Sequence, residues 1–225
     1  MDVIVLAAQK GGSNKSTICV NLAVEAVRQN DGPVTLVDID PQGSLTKWWN
    51  RRASDTPALV EVDLENLETQ LAALAKAGTR LVIVDTPGVI SSHVRAVIKA
   101  ATLVIIPSRA SIFDVETLYD FCDLVESEGR PMVFVPSSIK ARSRIGVEAI
   151  RNMAAFGVVG PSLSDRVDFS QSLNDGHSAA EIRPGGDAAR EIEALWTFVK
   201  TRLRKRVSRS ARDGASAPTH KDAIL

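Results

Sequence analysis

The stretch VIVLAAQKGGSNKST, Val3 to Thr17, runs from an unbroken apolar segment through Gln9 and Lys10 into Gly11 and Gly12, then Ser13, Asn14, Lys15 and Ser16. A buried strand, a glycine-rich turn and a Lys-Ser/Thr pair opening a helix together bring backbone N–H groups and a helix N-terminus around a phosphate group. The general pattern for such a loop, G-x-x-x-x-G-K-[ST], is broken twice, because Gln9 and Asn14 stand where glycines belong. On the bare pattern, nucleotide binding stays open.

Outward from this stretch, apolar and β-branched runs recur: VTLVDI (34–39), LVEV (59–62), LVIVD (81–85), LVIIP (103–107) and MVFVP (132–136). Segments with helical spacing separate most of them, for example Leu64, Leu67, Leu71 and Leu74. Near-continuous apolar strands alternating with helices predict a doubly wound α/β fold, a mostly parallel sheet with helices on both faces. Ligands bind beyond the carboxyl ends of strands in such sheets. Gln9, Asp40, Asp85, Ser108 and Ser137, which follow or end the runs, are therefore expected on one rim.

Past Pro136 the spacing predicts helices over 146–156, 169–175 and 187 to about 206, the last with Ile192, Leu195, Trp196, Val199 and Leu203 on one face. From Ser208 onward there is little to bury, and a polar, disordered tail is expected over 208–225 behind a single domain of residues 1–207.

The 225 residues, 44% of them hydrophobic, suffice for one sizeable core. The formal charge is zero, but Lys200, Arg202, Arg204, Lys205, Arg206, Arg209 and Arg212 crowd one window. Cys19 and Cys122 lie far apart without CxxC or Cys/His spacing, which argues against a disulfide framework or a zinc site and fits a reducing cytosol. No apolar run reaches the length of a spanning helix, so a soluble protein, or one at most peripheral to a membrane, is expected.

Several candidates carry two readings. Asp40-Pro41 is either a site carboxylate or a helix start, with Asp as N-cap and Pro at the first helical position. Asp85 ends an apolar strand ahead of Thr86-Pro87-Gly88, and its proximity to a phosphate loop favours a metal role over a plain turn. Asp38, inside its strand, reads as a hydrogen-bonding residue. His93, His177 and His220 have no metal spacing.

KGGSNKST resembles the variant loop K-G-G-x-G-K-[ST]-[ST] of the ParA/MinD family of deviant Walker-type ATPases, which tolerates glutamine at the place of Gln9. The likeness extends to about Leu203: LVDIDPQGSLTKW is similar to the family's second motif, LVIVDTPG to its Walker B strand, and VIIPSRASIFDVETL and DRVDFSQSLNDGHSAAE to later segments. The small plasmid-partition ParA proteins are the nearest in character. The resemblance implies ATP and Mg2+ as cofactors, with Gln9, Lys10, Gly11, Gly12, Ser13, Asn14, Lys15, Ser16 and Thr17 at the nucleotide. It implies magnesium on Ser16 directly and on Asp85 through a water, Asp40 orienting the attacking water, and Lys15 on the phosphates. Lys10 corresponds to the signature lysine that crosses to the partner's nucleotide.

The same resemblance implies an ATP-dependent homodimer, slow basal hydrolysis stimulated by partner and DNA, and non-specific DNA binding. It also implies a ParB-like or other cargo adaptor and a cytoplasmic, nucleoid-associated location. Arg202, Arg204, Lys205 and Arg206 are the candidates for DNA, against the reading of a solvated helix end whose cations suit the macrodipole. Two alternatives stand beside it: a DNA-associated nucleotide switch with little hydrolysis, and a MinD-like membrane-cycling ATPase, the weaker because the apolar residues of the last helix are expected to pack on the core. Trp48 and Trp49 are expected to pack or to line the dimer face. The Asn14 side chain is expected near the γ-phosphate or the partner's loop; asparagine is the non-glycine residue that best tolerates the left-handed region, so binding should survive.

Overall fold

The computed structural model describes residues 1–9, 11–109, 115–140 and 144–215, with backbone alone at 115–117 and 205–215. Six strands form one sheet: β1 (Asp2–Leu6), β2 (Val34–Asp38), β3 (Ala58–Val60), β4 (Leu81–Asp85), β5 (Leu103–Arg109) and β6 (Met132–Ser137). Their order is β3-β2-β4-β1-β5-β6, and each neighbouring pair is parallel. The helices are α1 (Lys15–Arg28), α2 (Ser44–Trp49), α3 (Leu67–Lys76), α4 (Ser92–Ala100), α5 (Val115–Ser127), α6 (Arg144–Phe156), α7 (Val167–Asp175), α8 (Ala179–Ile182) and α9 (Asp187–Ala215). The expected doubly wound architecture is what the chain adopts.

The alternation of side chains along each strand sorts the core into two layers. Ile4, Leu6, Leu36, Ile83 and Ile105 face a layer completed by Ile18 and Leu22 of α1, Trp48 of α2, Phe169 of α7 and Trp196 of α9. Val5, Val82, Val84, Val104 and Phe134 face the other, against Leu71, Val97, Phe121 and Met153 from α3 to α6. Burial on both faces is why the strand sequences are apolar throughout instead of alternating. The expected apolar stripe of α9 is buried, from Ile192 through Leu203.

Beyond β6 the chain returns along the sheet edge. Phe134 N–H donates to Val158 O and Gly160 N–H to Phe134 O, each at 2.8 Å. Leu163 N–H donates to Pro136 O and Ile139 N–H to Leu163 O further along. The opposite edge is the three-residue β3, shorter than the run that predicts it.

Two short helices, α2 and α8, were not legible as separate elements, and α9 continues past Arg206 to Ala215. Trp48 is fully buried with its indole N–H on His177 O at 3.0 Å, while Trp49 donates to Pro57 O at 2.9 Å. The first reading of the pair, packing, is the one the fold uses.

Candidate functional site

The carboxyl ends of β1, β2 and β4 lie side by side, with Leu6 and Asp38 each in register with Asp85. Beyond them opens a cleft of about 600 Å³ lined by Gly12, Lys15, Ser16, Asp40, Gln42 and Gly88 among others. The expected rim thus exists, and it gathers Gly11 to Thr17 and Asp40 around one space. Gln9 adjoins it with a buried side-chain oxygen that has no partner among the described residues. Lys10 lies outside the described residues.

The loop takes its shape from two left-handed residues, Gly12 at φ 73° and Asn14 at φ 72°, ψ 23°. Asn14 is the N-cap of α1, and its carbonyl accepts the first helical bond from Ile18 N–H at 2.9 Å. The first turn of α1 carries no acidic residue of its own, and the positive end of the helix favours an anion there. Lys15, only 7% exposed, opens the helix at the floor of the cleft.

Asn14 lines the cleft with the rest of the loop, and its side chain has a partner just past β6. Its Nδ2 donates to Ser138 Oγ at 2.8 Å, because the left-handed backbone turns the side chain toward the end of β6. Ser137 Oγ also donates to Ser13 O at 3.1 Å. Both β6 contacts were missed from the sequence in their detail; the signal was there, since Ser138 and Arg109 follow directly on Ser137 and Ser108, the rim positions that the strand pattern picks out.

Ser16 Oγ donates to Asp85 Oδ2 at 2.5 Å. Asp85 is wholly buried and its Oδ1 has no partner among the described residues. Burial raises its pKa to about 7, with the Ser16 hydrogen bond and Lys15 opposing and Asp38 and Asp40 reinforcing the rise. A hydroxyl, an under-satisfied buried carboxylate and a second carboxylate across the cleft are hard oxygen donors of the kind magnesium takes while keeping several waters. The residues fit that ion.

Asp38 is structural, as expected: its Oδ2 accepts from Thr46 N–H and Thr46 Oγ at 2.8 and 2.9 Å, and its Oδ1 from Asp40 N–H at 3.1 Å. It thereby ties β2 to the start of α2. Asp40 is not a helix cap, since α2 starts at Ser44 with Gly43 as N-cap. Its Oδ1 accepts from Gln42 N–H at 2.9 Å and its carbonyl from Gly43 N–H at 2.8 Å, so Asp40 to Gly43 make a tight turn with the carboxylate on the cleft. Thr86 anchors the turn after β4 by donating to Leu6 O at 2.9 Å. Cys19 lies buried in α1, where burial first and the neighbouring carboxylates second push its thiol well above its ordinary range. It is a packing residue.

The candidate cations of α9 lie elsewhere. Arg204 shares a hollow of about 200 Å³ with Asp2 and Arg80, at the amino-terminal ends of β1 and β4. The Arg202 guanidinium stacks over Phe198 at 4.9 Å. The side chains of Lys205 and Arg206 lie outside the described ones.

A glycine-rich loop from β1 into α1, facing the ends of β2 and β4 and their carboxylates, defines a phosphate-binding α/β protein of the P-loop kind. Residues 4–178 match the family model described as the CobQ/CobB/MinD/ParA nucleotide binding domain, and the chain belongs to that family. It is 29% identical over 219 residues to Protein ParA of Rhizobium radiobacter, covering 91% of this chain and 97% of that protein. Among solved structures it is similar to apo McdA of Cyanothece, with a TM-score of 0.75 at 20% identity over 90% of this chain and 99% of that one. A plasmid partition protein of Borrelia burgdorferi B31 bound to AMPPNP gives a TM-score of 0.73 at 19% identity, over 89% of this chain and 99% of that one.

Proposed function

We propose that this chain is a ParA-like ATPase. It binds ATP with Mg2+, closes into a homodimer over the nucleotide, holds DNA without sequence preference, and positions a plasmid, chromosome or other cargo as an adaptor stimulates hydrolysis. The observation that carries the reading is the Ser16–Asp85 pair at the positive end of α1 with Asp40 across the cleft, in a chain related over most of its length to a ParA protein.

Each residue has a physical task. The backbone around Gly11 to Ser13 and the Lys15 ammonium neutralise phosphate charge. Ser16 and Asp85 would hold magnesium, which when bound offsets charge on the transferring phosphoryl group. Asp40, which opens its turn, orients the attacking water. Lys10 reaches the partner's nucleotide, which makes hydrolysis depend on dimerisation. Arg202, Arg204, Lys205 and Arg206 attract the DNA backbone.

Steady-state phosphate release with DNA and candidate adaptor tests the reading. Asp40→Ala is expected to keep MgATP binding and to lower stimulated release by about 10²-fold. Equal rates in wild type and Asp40→Ala would favour a nucleotide switch without hydrolysis.

A further inference from the structure

We infer that Asn14, Ser138 and Arg109 form a latch that ties the phosphate loop to the ends of β5 and β6, making Arg109 and Ser138 positioning residues for the bound nucleotide. The inference rests on the nucleotide-binding reading above and extends it to residues outside the loop motif.

The latch centres on one hydroxyl. Ser138 Oγ accepts from Asn14 Nδ2 at 2.8 Å and from Arg109 Nη2 at 3.1 Å. Two donors take both lone pairs of the hydroxyl, so its position is fixed from the loop side and the sheet side together. Ser138 itself sits at φ 51°, a left-handed conformation that costs a serine energy and that the two bonds hold in place. Asn14, also left-handed, makes no side-chain cap to α1. Its amide is thus spent sideways on the latch and not on the helix, which explains why asparagine does here what glycine could not.

Arg109 supplies the third contact. Its Nη1 lies 3.9 Å from where a Cβ on Gly12 would be, so the guanidinium runs alongside the loop. Its Nε is buried without a partner, and among the described residues no carboxylate forms an ion pair with it. A half-buried cation without a carboxylate beside it among the described residues is costly, and phosphate charge in the adjacent loop would offset it. The two left-handed loop residues, Gly12 and Asn14, are therefore both backed by the ends of β5 and β6. Nucleotide cannot leave through a loosened loop without breaking these bonds.

The test is stopped-flow release of a fluorescent ADP analogue with magnesium, with thermal melts of each nucleotide-free variant. Asn14→Gly and Ser138→Ala are each expected to speed release by about threefold to tenfold, the worth of one hydrogen bond. The double variant should release no faster than the faster single one, because both changes remove the same bond. Arg109→Met should also speed release, and Arg109→Lys, which keeps a charged donor, should recover part of the loss while melting midpoints stay together. Wild-type release rates in all singles, or singles that multiply in the double, overturn the latch alone. A wild-type chain that takes up no nucleotide overturns the nucleotide reading and the latch with it.

Discussion

At the scale of single residues, Gly176 shows how tightly conformation can be dictated. It follows α7 at φ 71°, and a Cβ there would lie 2.6 Å from the carbonyl carbon of Arg51. The position demands both a left-handed backbone and an empty side chain. Gly176→Ala is expected to cost about 2 kcal/mol or more, from strain and overpacking together, measurable as a lowered denaturation midpoint. Asn14 is the instructive contrast. There the left-handed backbone is occupied by asparagine, and its tolerance of φ 72° was legible from residue type alone. The partner of its side chain was not, because Ser138 lies 124 residues away and sequence pattern carries no information about such a meeting.

At the scale of elements, the joint between α2 and the α7–α8 corner stands out. Arg52 donates to both carboxylate oxygens of Glu181, at 2.9 and 2.7 Å, and to Gly176 O at 3.1 Å, and its guanidinium stacks over Trp48 at 5.1 Å. Glu181 also closes a capping box with Ser178 at the start of α8. Burial pushes the Glu181 carboxyl upward, but the Arg52 and Ser178 bonds outweigh it and hold the pKa below the ordinary 4.5. A depressed folded-state pKa stabilises the fold above the unfolded value, and that contribution disappears as pH falls through the folded value. Chemical denaturation across pH 3 to 7 should therefore show the wild type losing its advantage over Glu181→Gln as acid is added, from about 1–2 kcal/mol at neutral pH.

The same joint marks the limit of what periodicity reveals. The six strands were readable because each is an apolar run of helix-incompatible length, and the rim residues Asp40 and Asp85 were readable because they close those runs. The six-residue α2 and four-residue α8 were not, since neither completes two turns and their stability comes from caps and distant partners. Asp40-Pro41 illustrates the resulting error: one plausible reading was a helix cap, but the tight turn delays the helix to Ser44 and leaves the carboxylate on the cleft.

At the scale of the whole molecule, the nucleotide cleft and Arg204 lie toward opposite ends of the sheet, separated by about the 17 Å length of a five-residue strand. Part of the basic window has structural work. Lys200 pairs with Asp31 at 3.0 Å and bonds Gln29, and Arg202 covers Phe198, so substitutions at either would disturb packing as well as charge. Arg204 is more exposed, although it too acts on Asp31, and it serves as a probe of the proposed DNA contact. Arg204→Ala is expected to reduce the log–log salt slope of DNA binding by about one, with MgATP affinity unchanged. An unchanged slope would remove that residue from the DNA surface.

The return of residues 157–164 along β6 has a consequence for how copies of this protein can assemble. That strand's outward donors and acceptors are already taken by its own chain at Phe134 and Pro136, and the far edge offers only the three residues of β3. Chains cannot stack into a continuous ribbon by adding strand to strand at the β6 side. What is left for contact with a second copy is the helix surfaces, the cleft side of the molecule and the short β3 edge.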